Sequence, residues 1–185
     1  MLGGIGYIVL IVFGVVGSFA FPLHIITLAA AICVLVAFIQ GGNQLGRPAV
    51  KSNVITALVL YIVSAILFIF LVGGSLTAYI FHHGDNTGSA LLGAGVIIGG
   101  IIGWILAIVA AWFWYKASAQ LTEATGIGLY KVGGLLIFIG AILLVVFGLG
   151  GILILIGEIL QCIAFFNTQE KGAVTASAPP QAPAV

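Results

Sequence analysis

Two stretches of this chain, residues 53–81 and 89–115, contain no charged side chain at all. Each exceeds the roughly 20 apolar residues that a helix needs to cross about 30 Å of hydrocarbon. Runs of that kind decide the solvent before they decide the fold. In lipid every backbone N–H and C=O must be paired within the chain, and long unbroken apolar runs do this as helices. Four more stretches, at residues 2–21, 23–40, 129–147 and 150–166, come close to that length and are read as spans too, the last two with one charged residue each. The whole 185-residue chain is 63% hydrophobic and 5% charged, whereas a soluble domain is about 25% charged. The expected fold is therefore an all-α integral membrane protein, a compact bundle of six transmembrane helices. It would occupy residues 1–168, with residues 169–185 as a flexible cytoplasmic tail rich in Ala and Pro.

Short connections set the topology. Pro22 separates the first two spans, and Gly148-Leu149-Gly150-Gly151 separates the last two. Each such pair should close as an antiparallel hairpin, giving three hairpins in all. With the N-terminus placed in the cytoplasm, Arg47, Lys51, Lys116, Lys131 and Lys171 all fall on the inner side, in accord with the positive-inside bias. The C-terminus is then cytoplasmic too. Trp112, Trp114, Tyr115 and Tyr130 would form an aromatic belt at the inner interface, with Tyr79 and Phe81 at the outer one. The segment 116–125 has good helix formers and no breaker, so the fourth helix should run on to about Ala124, with Gly126 as its C-terminal cap. From Gly172 onward no pattern buries a face, and an extended tail is expected. Ser18-Phe19-Ala20 has the small-x-small form of a signal-peptide cleavage site, but Met-Leu-Gly-Gly lacks a basic n-region. An uncleaved first helix is the expectation.

Small residues recur every fourth position at Gly95, Gly99, Gly103, Ala107 and Ala111. This places them on one face of a helix, where another backbone can approach closely in lipid. That neighbour is either another span of the same chain or a partner. A second seam runs through Gly150, Gly157 and Ala164. Such narrow seams favour tight packing over a wide aqueous pore. A weak internal repeat relates Leu2-Gly3-Gly4-Ile5 and Ala37-Phe38 in the first hairpin to Val132-Gly133-Gly134-Leu135 and Ala164-Phe165 in the last.

Glu158 is the most informative residue. It lies near the middle of the sixth span, where an ionisable group costs a few kcal/mol and should face protein. Gln161 is one turn away on a similar face. The pair is a candidate proton or ion site. The plainer alternative is a neutral glutamic acid hydrogen-bonded to another helix, since desolvation favours the uncharged form.

On the outer side, His24, His82, His83 and Asp85 could meet a divalent metal or sense external pH. The alternative is that they are solvated loop residues, and no metal or cofactor is expected. Cys33 and Cys162, the only cysteines, sit in apolar runs and read as inert packing residues. No phosphate-binding loop or nucleophile–base pair is present, so no enzyme is expected. Five basic residues offer no basic patch for nucleic acid.

Two further stretches carry a family likeness. One is Leu2-Gly3-Gly4-Ile5-Gly6. The other runs Leu121-Thr122-Glu123-Ala124-Thr125-Gly126-Ile127-Gly128-Leu129-Tyr130-Lys131-Val132-Gly133-Gly134-Leu135 and continues through Ile139-Gly140-Ala141 to Ala164-Phe165-Phe166. On these the chain resembles an uncharacterised, mostly archaeal family of membrane proteins, domain of unknown function 996. The resemblance spans nearly the whole chain outside the Ala/Pro tail and implies an archaeal cell membrane. It implies no activity. Glu158 departs from the family pattern, in which an apolar or aromatic residue is expected.

Two functions are consistent with these features. One is a structural or accessory subunit embedded in the lipid bilayer, packing against other membrane subunits or itself. The other is a small proton-linked transporter or ion carrier that uses Glu158. A polar, water-accessible surround for Glu158 would favour the carrier, and a dry packed one the accessory role.

Overall fold

The computed structural model describes residues 2–17, 23–81, 86–144 and 149–177. Among these the fold is entirely helical: α1 (Leu2–Gly17), α2 (Leu23–Gln44), α3 (Pro48–Phe81), α4 (Asn86–Thr125), α5 (Leu129–Leu143) and α6 (Leu149–Ser177). Three helical stretches, Pro48–Thr77, Leu92–Thr125 and Leu149–Thr168, are long and apolar enough to cross a membrane by length and composition. The other apolar helices are shorter. At 1.5 Å per residue, α1 and α5, with 16 and 15 residues, reach only about 24 and 22 Å.

The connections follow from local chemistry. Gly46 adopts φ 64° between α2 and α3, a conformation that costs a glycine little. Pro48 then starts α3, its fixed φ suited to a first helical turn. The turn is tight enough that the Arg47 N–H bonds the Gly42 carbonyl at 2.8 Å. This places the ends of α2 and α3 closer together than the 40 and 53 read from hydropathy. At the other turn Gly126, at φ 71°, ends α4 with its N–H on Thr122 O at 2.8 Å. The Thr122 hydroxyl accepts the Lys131 N–H at 2.9 Å, so a side chain of α4 caps the first turn of α5.

These two turns lie at the same end of the molecule. Asn53 donates to Gln120 at 3.3 Å, and exposed Arg47 and Glu123 approach to 4.0 Å. The core gathers nearby, around Phe38. Its ring sits 4.6 Å from Trp114 and 5.3 Å from Phe165, while Tyr130 meets Phe165 edge-on at 5.1 Å. Tyr130 is buried, with its hydroxyl 3.0 Å from Thr168 Oγ1. Tyr130 and Trp114 are therefore core residues, not the interfacial anchors their position in the sequence suggests. Both polar handles have protein partners, which removes the need for headgroup water.

Helices adjacent along the chain differ in how they pack. On α5 and α6 small residues face each other in antiparallel register. A Cβ at Gly157 would lie 2.6 Å from Gly133 O, and one at Gly140 would lie 2.7 Å from Gly150 O. Two backbones this close leave room only for glycine. α3 packs chiefly on α4 and less on α2. Beyond Ala57 no described residue of α3 is buried, and none of α4 before Gly99 is. The outer halves of these helices thus form a two-helix arm on one side of the core, where the sequence alone suggests a uniformly compact bundle. Helix lengths of 34 and 40 residues make the difference, since four shorter neighbours cannot cover them.

The expected tail is also corrected in part. α6 continues to Ser177, past Gly172, and takes in the first residues placed in the 169–185 tail. Ala, Val, Thr and Ser carry no backbone prohibition, and the first hard breaker is Pro179, which also disfavours helix at Ala178. Residues 178–185 lie outside the described residues.

Candidate functional site

Gln161 is fully buried and ties three helices together. Its Oε1 accepts from the Tyr7 hydroxyl of α1 and from the Trp114 indole N–H of α4 at 3.1 Å. Its Nε2 donates to Ser118 Oγ at 2.9 Å, and that hydroxyl donates in turn to Trp114 O at 3.0 Å. Gly133 of α5 leaves the space that Gln161 fills, since a Cβ there would fall 2.7 Å from Gln161 Cγ. An amide has both donor and acceptor capacity, which suits it to join a phenol, an indole and a hydroxyl at once. The arrangement is a polar clasp between α1, α4 and α6.

Glu158, one turn earlier on α6, takes no part in the clasp. Among the described residues it has no hydrogen-bond or ion-pair partner. It lines a cavity of about 520 Å³ to which every helix contributes, with Tyr7, Leu35, Tyr61, Trp114 and Ile137 among its neighbours. Apart from Glu158 and the aromatic residues Tyr7, Tyr61 and Trp114, the described residues of the lining are aliphatic. The sequence suggests one shared site for Glu158 and Gln161. The structure assigns them different work, Gln161 inside the packing and Glu158 on a void. The expected hydrogen bond from Glu158 to another helix is absent among the described residues. Its surround is also neither of the two alternatives drawn from sequence, being hollow yet almost wholly apolar.

The clasp and the cavity share Tyr7 and Trp114. Because their hydroxyl and N–H groups are engaged by Gln161, what they offer the cavity is ring surface. These two, with Ser118 and Tyr61, are the site residues that sequence reasoning did not single out. A phenolic hydroxyl within an otherwise apolar run is the signal that marks Tyr7.

Two of the small residues of α4 face α3. Gly95 abuts Ser75 and the Leu71 carbonyl, and a Cβ at Gly103 would lie 3.4 Å from Ser64 Oγ. Ser64 also donates to Gly103 O at 3.0 Å. Gly99 and Ala111 are buried and Ala107 is half-buried. On α6, Gly150 and Gly157 face α5, and Ala164 is buried in the core. Cys162 donates weakly to Gly4 O at 3.4 Å, and neither it nor Cys33 is in a disulfide. His24 opens α2, while His82, His83 and Asp85 lie outside the described residues. Among the described residues no three His, Cys, Asp or Glu side chains gather. A second, smaller cavity of about 250 Å³ lies by the turns, next to Gln40, Gln44 and Thr168.

No solved structure matches the chain. It is similar to "Uncharacterized protein MJ1644" of Methanocaldococcus jannaschii, 29% identical over 145 residues that cover 78% of this chain and 77% of the relative. The family described as "Protein of unknown function (DUF996)" matches residues 26–159. That range takes in Tyr61, Trp114 and Glu158 of the cavity and leaves Tyr7 and Gln161 outside. Since the match extends over most of its length, the chain belongs to the DUF996 family.

Proposed function

We propose that this protein is a multi-pass cell-membrane protein whose six helices span as three hairpins, with both termini cytoplasmic. It serves as a non-catalytic accessory subunit that packs against other membrane proteins or against itself. For the short helices the sequence stays apolar beyond α1 through Phe21 and beyond α5 through Phe147, which is length enough to complete each span.

The observation that carries the accessory role is the α3–α4 arm. Its outer half exposes large apolar side chains, Phe70 at 74% among them. It also leaves Gly73, Gly74, Gly93 and Gly100 with open space where a Cβ would be. Exposed apolar side chains alone suit lipid. Open glycines on the same helices additionally permit a further helix to approach at backbone distance. Purification from native membranes in mild detergent, followed by identification of what remains bound, tests this reading. Replacing Gly73 and Gly74 by Leu should release the bound subunit while the chain itself keeps its stability. Retention of every companion by that variant would refute the role assigned to the arm.

The carrier reading is favoured by one observation, the unpartnered Glu158 on a cavity. Gln has the shape of Glu but does not titrate. Proton-coupled flux in reconstituted vesicles that is abolished by Glu158→Gln, with the protein still folded, would establish the carrier over the accessory role.

A further inference from the structure

We propose that the cavity beside Glu158 binds a lipophilic cation, an organic ammonium or phosphonium whose substituents are apolar. The inference goes beyond the accessory role and requires only that the cavity take up a ligand. At about 520 Å³ it falls within the roughly 300–1,000 Å³ of small-molecule sites. Its chemistry narrows the occupant by elimination. Among the described residues no Lys, Arg or His lines it, so an anion would meet only the Glu158 carboxyl. A sugar or other polar neutral molecule would find few hydrogen bonds, because Tyr7 and Trp114 have theirs committed to Gln161. A metal ion needs several oxygen ligands to replace its water, and the aliphatic lining cannot supply them. A purely apolar molecule would gain nothing from the carboxyl and would strip it of remaining hydration.

A lipophilic cation uses every feature. Its substituents fill the aliphatic space. The faces of Tyr7, Tyr61 and Trp114 carry the negative side of the aromatic quadrupole and attract a cation within about 6 Å. Glu158, which has no cation of its own among the described residues, supplies the counter-charge. When it is protonated, cation uptake releases one proton to water and leaves a neutral carboxylate–cation pair. The other titratable groups on the lining are Tyr7 of α1 and Tyr61 of α3. Both are close enough to interact electrostatically with Glu158, and the described lining residues of α2, α4 and α5 bear none.

The test is equilibrium binding of radiolabelled tetraphenylphosphonium to the full chain in lipid nanodiscs, with empty nanodiscs subtracted. The wild-type protein should bind saturably, with affinity that weakens on acidification as protons compete for the carboxyl. Glu158→Gln should lower affinity at least about tenfold and remove the pH dependence. Leu58→Trp, which adds bulk to the lining and leaves Glu158 in place, should also reduce binding. Undiminished binding to Glu158→Gln would overturn the proposal and assign the cavity to neutral apolar molecules. Should that variant fail to fold, pH-independent binding by the wild-type protein, or no saturable binding, overturns it equally. Because the assay reads binding alone, its outcome stands apart from flux and from association with other subunits.

Discussion

Gln161 and Glu158 are neighbours on one helix and should respond to mutation in opposite ways. Gln161→Leu keeps the bulk but strands the Tyr7 hydroxyl and the Trp114 N–H. In water-soluble proteins each orphaned buried group costs about 1–3 kcal/mol, whereas interhelical bonds in membranes average nearer ~0.6 kcal/mol. A loss of about 1–2 kcal/mol is expected, read from thermal unfolding in detergent, with a change in Trp114 fluorescence. Glu158→Gln removes no protein partner and should shift stability by less than about 0.5 kcal/mol. Both residues were legible in the sequence because a polar group within an apolar run stands out. Their division of labour was not, since it depends on Tyr7, 154 residues away from Gln161 along the chain. Trp114 was misplaced for the same reason. Its distance from Lys116 suggests an interface, and only the packed α6 shows that its N–H is used inside.

At the level of helices, the glycines divide into those pressed against a neighbour and those that are not. Gly157→Ala would push a methyl into Gly133 O and Ile137 Cγ1, at 2.6 and 2.8 Å, and neither backbone can yield without parting α5 from α6. A loss of about 1–3 kcal/mol is expected. Gly74→Ala and Gly151→Ala meet nothing within 4 Å and should be neutral or gain up to about 1 kcal/mol from helix propensity. Parallel melting curves would check the contrast, and equal destabilisation by all three would disprove the assignment of the α5–α6 seam. The four-residue spacing along α4 was readable from the sequence. The opposing Ser64 and Ser75 were not, nor was the pairing of Gly133 and Gly140 with Gly157 and Gly150. Spacing within one helix is local information, and the register between two helices is not. Helix ends were legible where a glycine or proline forces them, as at Gly126. They drifted where composition is permissive, as along α6 beyond Gly172.

For the molecule as a whole, six helices follow from hydropathy, and the packing of α1 on α2, α3 on α4 and α5 on α6 follows from their adjacency along the chain. The cavity does not, because a void bounded by six helices exists only in their mutual arrangement. The orientation proposed for these helices has its own check. In a background lacking Cys33 and Cys162, single cysteines at Asn86 and Ser177 should react with an impermeant thiol reagent from opposite sides of sealed cells. Labelling of both from outside would reject cytoplasmic termini. The length of α4 bears on how such a molecule could move. Its 40 residues form one unbroken helix of about 60 Å, which passes the cavity at Trp114 and ends at the Thr125–Gly126 turn against the start of α5. No hinge interrupts it, so it behaves as a lever. With Trp114 as the pivot, a tilt of about 5° moves the Asn86 end, about 42 Å away, by roughly 4 Å and the Thr125 end, about 16 Å away, by only roughly 1.5 Å. A small adjustment around an occupant of the cavity would therefore be magnified at the far end of the two-helix arm, the part of the molecule proposed to meet another helix.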